Sequence, residues 1–234
     1  MALPVLNTAK YEVVIPSTNK AVMYRPYLVK EEKVLMIALE SNDQKQIMRA
    51  LKDVIGNCVD GVDANKLTTF DLEYLFMMLR GKSVGENINI NVKCKECESS
   101  SPYTMSLADI NPPVMVDNVD NKVMLNEDVG ITLKYPLLED IDSLASDDAD
   151  DDGMFELIGA CIDTVFTNDD VFKMAEESKA ERVRFVESLS AEQFVSMTDF
   201  FEAIPAMNAL IKFNCLHCKA KNEVELKGLQ SFFT

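Results

Sequence analysis

Cys94-Lys95-Glu96-Cys97 and Cys215-Leu216-His217-Cys218 are the two stretches that decide how this chain is read. Each is a C-x-x-C, the spacing that lets two thiolates converge on one ion from a tight turn. Together they supply four sulfurs, a full tetrahedral shell for Zn²⁺ with no position left for water or substrate. The pattern therefore points to a structural zinc held by Cys94, Cys97, Cys215 and Cys218, not to a catalytic one. A redox dithiol reading lacks its βαβ surroundings on both sides. His217 lies inside the second turn, but a four-sulfur shell does not need it. Its ordinary role is that of an exposed residue at the tip.

The flanks of the two pairs match. Ile88-Asn89-Ile90-Asn91-Val92-Lys93 alternates like a half-exposed strand and enters the first pair, and Ser100 to Leu107 leaves it. Leu210-Ile211-Lys212-Phe213-Asn214 enters the second, and Glu223-Val224-Glu225-Leu226 leaves it. The two strand–turn–strand units read as halves of one ribbon, split by the 117 residues from 98 to 214.

Outward from the ribbon, Tyr11–Ile15 and Ala21–Tyr24 flank Pro16-Ser17-Thr18-Asn19-Lys20 and predict a hairpin. A helix is expected from Lys30 with a stripe of Val34, Leu35, Ala38 and Leu39. A second, recapped at Ser41-Asn42-Asp43, carries Ile47, Leu51, Val54, Ile55 and Cys58. Thr69 caps a third that Gly81 closes, and Phe70, Leu72, Leu75, Phe76 and Leu79 leave it little polar face.

Beyond Pro112-Pro113, Val123–Leu125 and Ile131–Tyr135 predict another hairpin, and helix is expected from about Phe155 to Val165. Ser178 with Glu181 and Ser190 with Gln193 fit the capping box, predicting helices to about Leu189 and about Ile204. Phe194, Met197, Phe200 and Phe201 then form an aromatic face that suits a core. Asp147 to Asp152 lacks the central Gly and terminal Glu of a calcium loop and reads as a solvated run. The tail Gly228-Leu229-Gln230-Ser231-Phe232-Phe233 reads either as folded onto the core or as a docking peptide.

The fold class expected is α+β: an N-terminal hairpin and helices over 1–85, ribbon halves over 86–108 and 209–234, and between the ribbon halves a mixed strand and helix insertion over 109–208 that is largely helical after Pro136.

Composition bounds the function. The 234 residues carry 39 acidic and 23 basic side chains, a net charge of −16. Such a polyanion is repelled by nucleic acid and anionic lipid, which disfavours a nucleic-acid-binding ribbon. No apolar run reaches the ~20 residues of a membrane span. Met1 to Asn7 has neither the basic flank nor the apolar core of a signal peptide, so the cytoplasm is expected. Cys58 and Cys161 sit among apolar neighbours and read as buried thiols. One His and no Trp leave general acid–base chemistry almost no material. Arg80-Gly81-Lys82-Ser83 follows a helix, where a phosphate loop must follow a strand. No enzyme is expected.

Several stretches resemble one family together. They are Met1-Ala2-Leu3-Pro4, Tyr11 to Pro16, Tyr24-Arg25-Pro26, Leu28 to Leu35, Ala38 to Ser41, Phe70 to Phe76 and Leu79 to Glu86. Cys161-Ile162-Asp163, Phe200 to Pro205, the second cysteine pair and Gly228 to Phe233 continue the match. In that order they resemble the baseplate hub subunit family of T4-like contractile-tailed bacteriophages. Asn118 to Asp152 carries least of the likeness. The resemblance implies a structural or assembly role at the tail tip, with tail and baseplate hub proteins as partners. It also implies synthesis in the host cytoplasm and a place in or beside the virion tail baseplate. A transient tail-assembly chaperone is the alternative. No catalytic residue carries over, only the four cysteines.

Overall fold

The computed structural model describes residues 8–41, 43–115, 121–144 and 152–232. The chain mixes helix and strand in small sheets, an α+β architecture. It divides into two compact units. One is drawn from Met1–Ala64, Phe70–Met115 and Ala206–Thr234, the other from Asn65–Thr69 and Val116–Pro205.

The first unit opens with strands β1 (Tyr11–Ile15) and β2 (Lys20–Tyr24), paired antiparallel with Val13 opposite Val22. Alternation sends Val13, Ile15, Val22 and Tyr24 inward. The turn is pinned from outside: the Ser17 amide donates to the carboxylate of Asp71 at 2.9 Å, and Asp71 is wholly buried. Three helices follow, α1 (Val29–Ser41), α2 (Gln44–Cys58) and α3 (Thr69–Ser83). Asp43 caps α2 by accepting from the Lys45 amide. In α3, Phe70, Leu72, Leu75, Phe76, Met77 and Leu79 are all buried, so the helix is central to its unit.

The stripe expected on α1 is only half right. Leu35 and Ala38 are buried, but Val34 is 43% exposed and Leu39 54%. The inward face instead includes Glu31, whose carboxylate takes the Arg25 guanidinium at 3.0 Å and the Leu28 amide at 2.8 Å. An apolar helix with a charged residue turned inward cannot be phased from hydrophobicity alone.

Strands β3 (Asn87–Lys93) and β4 (Ser100–Ser106) form one hairpin of this unit. The other comprises β9 (Asn208–Asn214) and β10 (Lys221–Lys227). The tail folds back: Phe232 is 1% exposed, Leu229 is buried, and the Leu229 amide donates to Glu73 of α3 at 3.1 Å. Of the two readings of the tail, packing onto the core holds for residues 229–232 other than Gln230. Phe233 lies outside the described residues.

The second unit holds β5 (Lys122–Met124), β6 (Gly130–Leu133), β7 (Ile162–Phe166) and β8 (Val171–Lys173) in one antiparallel sheet, ordered as numbered. Helices α4 (Leu138–Leu144), α5 (Asp152–Cys161), α6 (Lys179–Glu187), α7 (Ala191–Val195) and α8 (Thr198–Glu202) complete it. Its core gathers Ile131, Leu133, Ile158, Ile162, Met174, Val186, Met197 and Phe200. Gly130 is required where it stands, because a Cβ there would overlap the ring of Phe166 on the neighbouring strand.

Two helices differ from expectation. Helix does not continue to Val165; α5 stops at Cys161 and β7 begins at once, since Ile162, Thr164, Val165 and Phe166 favour strand. The helix expected from Ser190 to about Ile204 breaks into α7 and α8. Ser196 donates its hydroxyl to the Gln193 carbonyl at 2.6 Å, a local bond that competes with helix. The short helix α4 lies in the stretch after Pro136 that is expected to be largely helical. Both capping boxes are present, at Ser178/Glu181 and Ser190/Gln193. The acidic run at 147–151 lies outside the described residues, as does Met1 to Asn7.

Candidate metal centre

The two cysteine pairs sit at the turns of the two hairpins, and the turns are built alike. In the first, the Cys94 amide donates to the Ser99 carbonyl at 3.0 Å and the Glu98 amide to the Cys94 carbonyl at 3.0 Å. In the second, Cys215 donates to Ala220 at 2.9 Å and Lys219 to Cys215 at 3.1 Å. The residue after each second cysteine is left-handed, Glu98 at φ 56° and Lys219 at φ 61°. A side chain in that region costs about 1 kcal/mol or more. Lys219→Gly and Glu98→Gly are therefore each expected to stabilise the protein by about 1 kcal/mol, read as a raised urea midpoint.

These turns bring all four sulfurs within 4.8 Å of one another, with Cys94 and Cys215 buried and Cys97 and Cys218 exposed. Across the hairpins, Cys94 Sγ lies 3.6 Å from Cys218 Sγ, and Cys97 Sγ lies 3.6 Å from Cys215 Sγ. A tetrahedral ion with metal–sulfur bonds of about 2.3 Å sets its sulfurs roughly 3.8 Å apart. The cluster has the donors and the dimensions to hold a metal ion.

Further groups orient the sulfurs. Ser99 Oγ lies 2.9 Å from Cys97 Sγ and 3.4 Å from Cys215 Sγ. The His217 amide donates to Cys215 Sγ at 3.4 Å, so this residue contributes its backbone to the site. Asn222 is buried and joins the hairpins: its Nδ2 donates to Cys94 Sγ at 3.4 Å and to the Ala220 carbonyl, while its Oδ1 accepts from the Lys95 amide at 2.9 Å.

The electrostatics follow from this crowding. The hydrogen bond from Ser99, aided by the turn amides of Cys218 and His217, lowers the Cys215 thiol to about 5. Cys94 is lowered by the amides of Cys97 and Glu96 and by Asn222. At Cys218 the Ala220 amide pulls downward, but the other three sulfurs and burial push the thiol up to about 12. Several thiolates can share this volume only with a cation among them, and metal uptake then releases protons. Cys58 and Cys161 stand apart. Burial raises them to about 11 and about 12, which leaves them inert as thiols.

The structure thus brings the four sequence-predicted cysteines together. It adds Ser99 and Asn222, which the sequence reading passed over. A signal for Asn222 existed: it is a polar residue on the inward face of an alternating strand, with Leu226 farther along the same face. Groups that orient metal ligands typically contribute ten- to hundredfold to affinity. Asn222→Ala should weaken metal retention against a competing chelator by about that factor, with helix content unchanged by circular dichroism.

The family described as T4 bacteriophage base plate protein matches residues 8–234. The chain belongs to that family. The match takes in both hairpins, all four cysteines and the helices between, so the cluster lies within the family's own extent. No curated protein and no solved structure matched. Membership gives this T4 baseplate family protein a structural or assembly role in a phage baseplate, among other tail proteins. Among the described residues no helix is long and apolar enough to cross a membrane.

Proposed function

We propose that this baseplate protein is a non-enzymatic component of the baseplate hub, held in shape by one structural Zn²⁺ on Cys94, Cys97, Cys215 and Cys218. The convergence of four sulfurs from two like-built turns carries the proposal. Four thiolates complete a tetrahedral shell, so the ion has no position for a substrate and its work is to hold the chain. It ties the hairpin of residues 86–108 to that of 209–234, with 109–208 as a separate insertion and 1–85 as the hairpin-and-helix region. The surface those hairpins present to neighbouring hub proteins is then fixed before assembly, which lowers the ordering cost of docking.

Quantitative mass spectrometry of assembly intermediates and finished particles tests the hub role. A fixed whole-number ratio to other tail proteins in both is expected. Presence in intermediates with absence from particles would replace a hub subunit with an assembly chaperone. Elemental analysis of the purified chain tests the ion separately, with one zinc per chain expected.

A further inference from the structure

Helix α1 is unusual in carrying apolar side chains on both faces. Leu35 and Ala38 point into the unit, while Val29 is 80% exposed and Met36 and Ile37 are each 56% exposed. Its outward side thus sets exposed apolar side chains between charged ones. The outward strip can be read residue by residue. At 3.6 residues per turn, Val29, Lys33, Met36 and Glu40 fall on one line along the helix, with Ile37 beside Met36. All five are exposed. The strip thus has an apolar centre with a cation on one side and an anion the same distance away on the other.

That order is self-complementary. When two copies of α1 meet antiparallel about the Met36–Ile37 step, Lys33 of each copy faces Glu40 of the other. Both charged positions are matched twice over by the two-fold axis, as an isologous interface demands. A parallel pairing would instead set Lys33 against Lys33 and Glu40 against Glu40.

The net charge of the chain would ordinarily keep copies apart, but not at this face. From Val29 to Cys58, the span of α1 and α2, five basic residues (Lys30, Lys33, Lys45, Arg49, Lys52) balance five acidic ones (Glu31, Glu32, Glu40, Asp43, Asp53). The excess negative charge lies elsewhere in the chain, and two copies approaching through α1 meet little of it locally.

We propose that α1 is a homodimer interface, in which two copies of this chain pack their first helices antiparallel with Lys33 of each against Glu40 of the other. Sedimentation equilibrium on the full chain, wild type and variants, tests it. Wild type should sediment as a concentration-dependent dimer. Lys33→Glu and Glu40→Lys each set like charges opposite one another twice, and each should weaken the dimer by about tenfold or more. The doubly swapped Lys33→Glu/Glu40→Lys chain restores both pairs and should regain the dimer. The substituted side chains are exposed, so the fold is not at stake, and unchanged circular dichroism checks this. A wild type that stays monomeric over the accessible concentration range overturns the proposal and leaves the face to a different protein. A dimer indifferent to the single reversals, or a double swap that does not recover, overturns the antiparallel pairing.

Discussion

A chain with both Cys94→Ser and Cys215→Ser should purify without stoichiometric metal and melt about 10 °C or more below the parent. The size of the effect follows from where the binding energy goes. Apparent zinc affinities in small four-ligand modules amount to about 10–16 kcal/mol, as much as the net stability of many whole domains. Here the ion would join hairpins whose cysteines are separated by more than half the chain, so its loss unties β3–β4 from β9–β10. Residues 229–232 follow directly from β10 and pack near β3, and should loosen with them. Cys58→Ser and Cys161→Ser are the controls: both thiols are buried and neither is among the four clustered sulfurs, so both variants should keep one metal per chain. Retention of metal and melting temperature by the double variant would remove the zinc site from the protein.

The second large effect belongs to Glu31. This carboxylate is buried at the start of α1, paired with Arg25 and accepting the Leu28 amide at the helix entrance. Glu31→Ala leaves the Arg25 guanidinium, itself only 19% exposed, without its anion. Breaking such a pair from one side typically costs about 3–5 kcal/mol. Burial opposes the charge on Glu31, but the hydrogen bonds from Arg25, Leu28 and Lys30 outweigh it, and its pKa is lowered. A carboxylate with a depressed folded-state pKa stabilises fully above its unfolded value, about 4.3. That contribution is lost as pH falls through the lower folded value. The stability gap between parent and Glu31→Ala should therefore be constant near neutrality and shrink below about pH 4. A gap that does not change with acid would show that the charge on Glu31 is not what matters.

The parts legible in the sequence are those where local chemistry decides. The hairpins around Cys94 and Cys215 announced themselves through alternation and turn residues, and the capping boxes at Ser178 and Ser190 formed as written. Misreadings arose where tertiary contacts decide. Glu31 sits inside because Arg25 and the Leu28 amide meet it there, which no periodicity encodes. The stretch Ile162–Phe166 is apolar enough for either helix or strand, and pairing with Gly130–Leu133 settles it as strand. Asn222 serves both hairpins at once, so its role is visible only when residues more than a hundred positions apart are brought together.

The long interval between the cysteine pairs also orders events in time. A ribosome adding about 5–20 residues per second completes the first turn well before it reaches the second. Through roughly ten seconds of synthesis the nascent chain holds only half a cage, and two sulfurs bind an ion weakly. Closure of the site would await Cys215 and Cys218. A chain stopped anywhere between the two pairs would hold two donors of the four, so any locking of the hairpins is a late event in synthesis.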